Sequence, residues 1–220
     1  MKTDSKQWKK IVVDGAYQLG IDVSDEQVDR FGIHARELLN WNRTTNLTAI
    51  TGSLDVAVKH FVDAIAVTPL IRSGSSVLDI GSGGGFPGLI IAVMDPSNLI
   101  TLIEASRKKV SFLKYIVRTM GLSHVNVHHV RAEDLARDPV YQNHFDLVVC
   151  RAFSSLDKFV KIALPFLAPK GIAIAMKGKP DALVSDRISK EGIKISVTNY
   201  KLPVINAQRC IYRISPSVKG

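Results

Sequence analysis

Between Val77 and Met176, five short apolar runs alternate with segments of helical periodicity: Val77 to Ile80, Leu99 to Glu104, Val125 to Val130, Phe145 to Cys150 and Gly171 to Met176. Runs of four to six residues that stay apolar at consecutive positions suit strands covered on both faces, and helical connections between them make the pairing parallel. The clearest connecting helix carries Val110, Leu113, Val117 and Met120 on one face and meets Gly121, a stop signal. The fold class that follows is α/β, a doubly wound, Rossmann-like sheet. Beyond Met176 the chain predicts a weak helix over Asp181 to Lys190, then apolar alternations at Lys194 to Val197 and Cys210 to Ile214. These form an antiparallel pair, giving a mostly parallel sheet with an antiparallel C-terminal strand.

The first seventy residues contain no strand pattern. Ile11, Val12 and Leu19 recur at helical spacing, and Ser24-Asp25-Glu26-Gln27 is a capping box that opens a helix through about Trp41. The change of element type near residue 72 has no flexible linker. The expected organisation is one domain over 1–220, with 1–72 a helical N-terminal cap and 73–220 the Rossmann-like core. With 220 residues and 46% apolar composition, a core of ordinary size needs no metal or disulfide. Cys150 and Cys210, the only cysteines, both lie in apolar runs, which fits a reducing compartment. No apolar stretch reaches membrane-spanning length, so a soluble, cytoplasmic protein is expected.

A net charge of +9 and a pI near 9.6 favour an anionic partner, because a basic surface releases counterions condensed on a phosphate backbone. Residues 176–220 hold nine basic against three acidic side chains, and Arg107, Lys108, Lys109, Lys114 and Arg118 form a second cluster in one predicted helix. Nucleic acid is the leading candidate.

The stretch from Asp79 to Gly88 reads as a strand end, a glycine turn and a helix start. Gly81 permits the tight turn, Gly83 lets a ligand approach the backbone, and Gly85 is expected to bring the helix close to the strand. Pro87 suits a first helical turn. The dinucleotide fingerprint would need glycine where Phe86 stands, whereas G-x-G-x-G is satisfied by Gly81, Gly83 and Gly85. Asp79 can accept hydrogen bonds from an ammonium group, which a methionine carries and a pyrophosphate lacks. Glu104 ends the second strand, 23 residues after Gly81, where a carboxylate can accept both ribose hydroxyls; Ala132 and Glu133 follow the third strand, beside the expected adenine. Together these point to S-adenosylmethionine.

Taken in order, the residues resemble a known family, the bacterial 16S ribosomal RNA guanine-N7 methyltransferases, also called glucose-inhibited division protein B. The carriers are Trp41 to Ile50 (WNRTTNLTAI), His60 with Asp63, the Asp79 to Gly88 loop, Leu102-Ile103-Glu104, Arg131-Ala132-Glu133, Arg151-Ala152 and Met176-Lys177-Gly178. The resemblance implies that Gly81, Phe86, Glu104, Ala105, Ser106, Ala132, Glu133 and Arg151 contact S-adenosylmethionine. It also implies that Lys177 and other basic residues face 16S ribosomal RNA or the small ribosomal subunit, with neither metal nor membrane involved and a monomer expected.

A sulfonium methyl is already activated and guanine N7 already has a lone pair, so transfer asks for alignment and needs no general base or covalent intermediate. The catalytic candidates are accordingly His60, Arg151 and Lys177. His60 either contacts the guanine or packs the cap onto the core, and Arg151 either touches a ligand or forms a surface salt bridge. Cys150 reads as a buried strand residue rather than a nucleophile, and Trp41 as a packing anchor. His124, His128 and His129 have no carboxylate or cysteine partner that would suggest a metal.

Overall fold

Val77, Leu78 and Ile80 of β1 (Ser76–Ile80) are buried on both sides of a seven-stranded sheet whose order is β3-β2-β1-β4-β5-β7-β6. The computed structural model describes residues 1–153, 155–178 and 192–216. The sheet half that follows β1 is built as the apolar runs predict: α5 (Gly88–Met94), β2 (Leu99–Glu104), α6 (Arg107–Thr119), β3 (Val125–His129), α7 (Ala132–Leu135), β4 (Phe145–Arg151), α8 (Leu156–Ala163) and β5 (Leu167–Lys177). Strands β1 to β5 pair in parallel. Strands β6 (Ile193–Leu202) and β7 (Ala207–Pro216) add the expected antiparallel pair, with β7 inserted between β5 and β6. The predicted helix over Asp181 to Lys190 lies outside the described residues. Gly121, with φ of +65°, ends α6 as expected.

β1 pairs with β2 on one side and β4 on the other, so the strand order reverses direction there. Chains leaving β1 and β4 diverge to opposite faces, which opens a crevice at their carboxyl ends. Among the described residues, no helix is long and apolar enough to cross a membrane.

One face of the sheet is covered by the N-terminal helices. These are α1 (Lys6–Gln18), α2 (Asp25–Thr45), and α3 (Ser53–Val56), which runs through a π-helical turn (Ala57–Val62) into α4 (Asp63–Ile65). The capping box is present, with Gln27 donating its backbone N–H to Ser24 Oγ and its side chain accepting from the Ser24 N–H. The helix it opens runs one turn past the expected end, to a left-handed Asn46. Trp8, Phe31, Leu38 and Phe61 from these helices share a continuous apolar cluster with Val77, Leu89, Leu102 and Ile174 of the core. Trp8 also donates its indole N–H to the Ser53 carbonyl, tying α1 to α3.

Candidate active site

The glycine turn is a strand-to-helix connection with three left-handed residues: Gly81, Gly83 and Gly85 have φ of +71°, +55° and +90°. Around Gly81 and Gly83 a β-carbon would meet nothing closer than the Gly81 carbonyl, at 3.8 Å, so this part of the loop leaves an open approach to its backbone. The glycine that lets the helix close on the sheet is Gly88, not Gly85 as the spacing predicts. A β-carbon at Gly88 would lie 2.4 Å from Leu102 Cδ2 and 2.7 Å from Asp79 Oδ2, whereas one at Gly85 would strike Leu89 of the same helix. Pro87 stands at the N-cap rather than inside the first turn, following a cis Phe86-Pro87 bond.

Asp79 is fully buried. Its Oδ2 accepts the Gly88 N–H at 2.9 Å, and its Oδ1 has no partner. Burial raises its pKa to about 7, against which the Gly88 hydrogen bond acts only in part. Glu104, at the end of β2, accepts the Gly83 N–H at 3.1 Å through one oxygen and the Ser106 N–H at 2.8 Å through the other. Both oxygens are thereby oriented and retain lone pairs. Beside it lies a cavity of about 150 Å³ lined by Gly81, Ile103, Glu104, Ala105, Ala132 and Glu133 among others. Apolar walls with one oriented carboxylate at the rim fit a nucleoside. The unpartnered Asp79 oxygen and the open glycine backbone fit the methionine end of S-adenosylmethionine, so the residues present match that group.

Phe86 contributes its ring to the cap. It is sandwiched between His34 of α2 and His60 of the π-helical turn, with centroid distances of 4.7 Å on both sides and planes within 14°. The Arg151 guanidinium lies 4.9 Å from the same ring. His34 was not anticipated from the sequence; it occupies the apolar face of α2 with Phe31, Ala35 and Leu38, and only that position signalled its burial. Its Nε2–H donates to the Gly84 carbonyl at 2.7 Å, and burial pulls its pKa down to about 4.

His60, Arg151 and Lys177 converge on a second cavity of about 370 Å³, which also takes in Asp63 and Arg209. Arg151 donates from Nη2 to His60 Nδ1 at 2.7 Å and from Nη1 to the Lys59 carbonyl at 3.0 Å. The other ring nitrogen of His60 faces Thr48 Oγ1 at 2.8 Å. Thr48 is held in turn by Asn42, whose side chain accepts the Thr48 N–H and donates to the Thr48 carbonyl, both at 2.9 Å. The WNRTTNLTAI stretch therefore builds a pinned turn that presents a hydroxyl to His60. His60 does pack the cap onto the core while also reaching the cavity. Asp63 is the carboxylate of this site: Tyr200 Oη donates to it at 2.7 Å, with Arg209 Nε at 3.4 Å and Arg151 Nη1 at 3.7 Å. Phe153 lines both cavities, so the two meet at the loop that follows β4. Cys150 is fully buried, and its thiol pKa is pushed well up by burial, which suits packing and not nucleophilic attack. Trp41 packs on Phe112 and Tyr115. His124 and His129 face the backbone carbonyls of Ala92 and Ala105, and His128 packs edge-on against Tyr141.

With this geometry in place, comparison with known proteins identifies the family. The family model described as rRNA small subunit methyltransferase G matches residues 27–211. This chain belongs to that family. It is 40% identical to the ribosomal RNA small subunit methyltransferase G of Geobacter sulfurreducens over 93% of this chain and 96% of that protein. The protein of the same name from Acetivibrio thermocellus is 32% identical, over 94% of this chain and 88% of its own length. Solved structures share the fold at low identity. The Bacillus subtilis tRNA methyltransferase TrmK superposes with a TM-score of 0.58 at 14% identity, over 70% of this chain and 65% of that one. A precorrin-6y C5,15-methyltransferase of Geobacter metallireducens gives 0.54 at 15%, over 71% and 88%. The chain is thus an S-adenosylmethionine-dependent methyltransferase of class I fold.

Proposed function

We propose that this protein transfers a methyl group from S-adenosylmethionine to N7 of a guanine in 16S ribosomal RNA of the small ribosomal subunit. The observation that carries the reading is the pair of cavities meeting at Phe153 on the carboxyl edge of the sheet: one has an oriented carboxylate and apolar walls, the other is rich in cations. In the first, Gly81, Gly83 and Gly85, the Phe86 main chain, Asp79, Glu104, Ala105, Ser106, Ala132 and Glu133 would hold the cofactor, with Arg151 at the junction. When bound, the cofactor supplies an activated sulfonium methyl.

What the chain's own residues do then follows from the chemistry of N7. This nitrogen has no proton to lose, and among the described residues the second cavity offers no free histidine or carboxylate base: Arg151 covers the bare nitrogen of His60, and Asp63 is shared among Tyr200, Arg209 and Arg151. These groups orient a purine and its phosphate and exclude water, which is the contribution an in-line displacement requires. Arg209 and Lys177 meet the nucleic acid, whose target base enters from an unpaired region. The apolar cluster that runs from the helices into the sheet supports reading 1–72 as a cap on a core of 73–220 within one domain. Action on ribosomal RNA supports reading the protein as cytoplasmic, and the same reading takes it as a monomer that works without a metal.

The test is incubation of the protein with isotopically labelled S-adenosylmethionine and undermethylated small subunits, followed by nucleoside mapping. Label in 7-methylguanosine of 16S RNA is expected; label in another nucleoside, in protein or in a small metabolite overturns the assignment.

A further inference from the structure

A third cavity, of about 300 Å³, lies at the opposite end of the strands, away from the cofactor edge. Arg72, Lys170 and Arg213 line it, all three exposed, together with the buried Ser75. None of the three cations has an ion-pair partner among the described residues. The one carboxylate in the lining, Asp146, is engaged by the N–H and hydroxyl of Ser76, at 2.9 and 2.8 Å, and also feels the Arg72 charge, so it offsets part of the cavity's three positive charges. The position of Arg72 is set by a turn in which the Ser75 hydroxyl donates to its carbonyl at 2.6 Å.

Strand β7 connects this cavity to the cationic one. Alternate residues of a strand share a face, so Arg209, Ile211 and Arg213 lie on one side of the sheet, and Ile211 places that side with the apolar cluster under the cap. Arg209 lines the cationic cavity at one end and Arg213 the remote cavity at the other, four residue steps or about 13 Å apart. Their partners on β6 continue the same face: Tyr200 opposite Arg209, Thr198 opposite Ile211, Ser196 opposite Arg213, and then Lys194 opposite Ser215. Thr198, Ser196 and Lys194 are exposed. Across residues 192–216 the sequence contains no aspartate or glutamate. The result is a hydroxyl-rich strip on two strands that carry no carboxylate of their own, with cations at both ends and one carboxylate from elsewhere in the chain at each, Asp63 beside Arg209 and Asp146 in the remote cavity.

We infer that the cap-side face of β6 and β7, ending in the Arg72, Lys170 and Arg213 cavity, is a track for the phosphate backbone of the RNA substrate. Hydroxyls and guanidinium groups spaced along a strand meet successive phosphate oxygens, fixing register without reading bases. The track holds RNA at a distance from the reacting base, so its contribution is to affinity and not to the transfer step. This rests on the RNA reading above.

The experiment measures equilibrium binding of small-subunit RNA between about 50 and 200 mM salt, independently of turnover. It compares the wild type with the triple variant Arg72→Gln/Lys170→Gln/Arg213→Gln. A control triple, Lys2→Gln/Lys6→Gln/Lys10→Gln, removes the same charge from α1 and the segment before it. The cavity variant should lose about tenfold in affinity, and its plot of log affinity against log salt should become shallower by about 2, since each phosphate contact contributes about 0.7 to 0.9. The control should change by less than about twofold, and Ser196→Glu should weaken binding about threefold by setting a carboxylate against the backbone. Cofactor affinity, measured by calorimetry, should match the wild type in every variant, reporting an intact fold. Equal losses in the two triples, or wild-type affinity and salt slope in the cavity variant, overturn the track. A wild-type protein that binds small-subunit RNA through the cavity yet transfers no methyl to it sinks the proposed activity and upholds the track.

Discussion

Arg151 donates a hydrogen bond to the Nδ1 atom of His60, and this one contact fixes the tautomer of the imidazole. A guanidinium only donates, so Nδ1 must be bare and the His60 proton must sit on Nε2, directed at Thr48 Oγ1. Burial and the Arg151 charge pull the His60 pKa down to about 2. His60 is a neutral positioning residue across the working pH range. The rate of methyl transfer between about pH 6 and 9 should show no histidine inflection from it, and heteronuclear NMR of the imidazole nitrogens should report the Nε2–H tautomer. An imidazole at His60 that titrates near its ordinary value would refute this.

Asp79 gives a pH dependence of a definite sign. Its carboxyl titrates near 7 in the folded protein, against about 3.9 in an unfolded chain. The folded state therefore binds the extra proton between these values, and the contribution to stability is complete below about pH 4 and lost as pH rises through 7. Free of ligand, the wild type should gain urea resistance between pH 8 and about 5 relative to Asp79→Asn, whose amide oxygen can still accept the Gly88 N–H. Binding of S-adenosylmethionine has the opposite sign, because an ammonium group favours the ionised carboxylate. Calorimetry should show wild-type affinity falling below about pH 7 and a flatter profile for Asp79→Asn. A wild-type affinity independent of pH across this range would remove Asp79 from the ammonium site.

The features that could be read in the sequence are those with a local physical signature. Alternation of apolar runs with helical segments defines the parallel half of the sheet, Ser24 to Gln27 carries its own capping geometry, and the apolar alternations after residue 193 mark β6 and β7. Glu104 was legible because a strand end has a fixed relation to the next turn. The features that were missed depend on contacts across the chain. Tyr200 meets Asp63 from 137 residues away, and nothing near either residue announces it. Gly88 and Gly85 look alike in a glycine loop and neither tolerates a β-carbon, and only the position of Leu102 on β2 decides which one lets the helix close on the sheet. Burial of Asp79 required knowing that Leu102 and the helix start close over it.

Gly88→Ala tests that distinction. The added carbon would sit 2.4 Å from Leu102 Cδ2 and 2.7 Å from Asp79 Oδ2, between a strand and a helix start that are both packed in the core. Overpacking of this kind costs about 3 kcal/mol. At Gly121, where φ is +65° and nothing lies within 4 Å, alanine meets backbone strain alone, about 1 kcal/mol. Denaturant midpoints should fall in that order. A Gly88→Ala protein as stable as Gly121→Ala would mean that the loop relaxes freely, contrary to the packing described.

The Asp63 cluster joins three parts of the chain: the cap helix that carries it, Arg151 at the end of β4, and Tyr200 and Arg209 on the terminal strands. Removing the Tyr200 hydroxyl deletes one donor to a buried carboxylate that keeps its two guanidinium neighbours, so Tyr200→Phe should cost about 1.5 kcal/mol. Asp63→Asn removes the charge instead. Arg151 and Arg209 are then left facing each other with side chains less than a fifth exposed, and the expected loss is about 3 kcal/mol. The two variants should also separate in function. Tyr200→Phe should leave cofactor affinity and methyl transfer close to wild type, whereas Asp63→Asn should raise the KM for RNA by displacing Arg209 and should also weaken cofactor binding by displacing Arg151 at the junction of the two cavities. Equal stability losses in the two variants would show that the carboxylate charge is not what holds the arginines together.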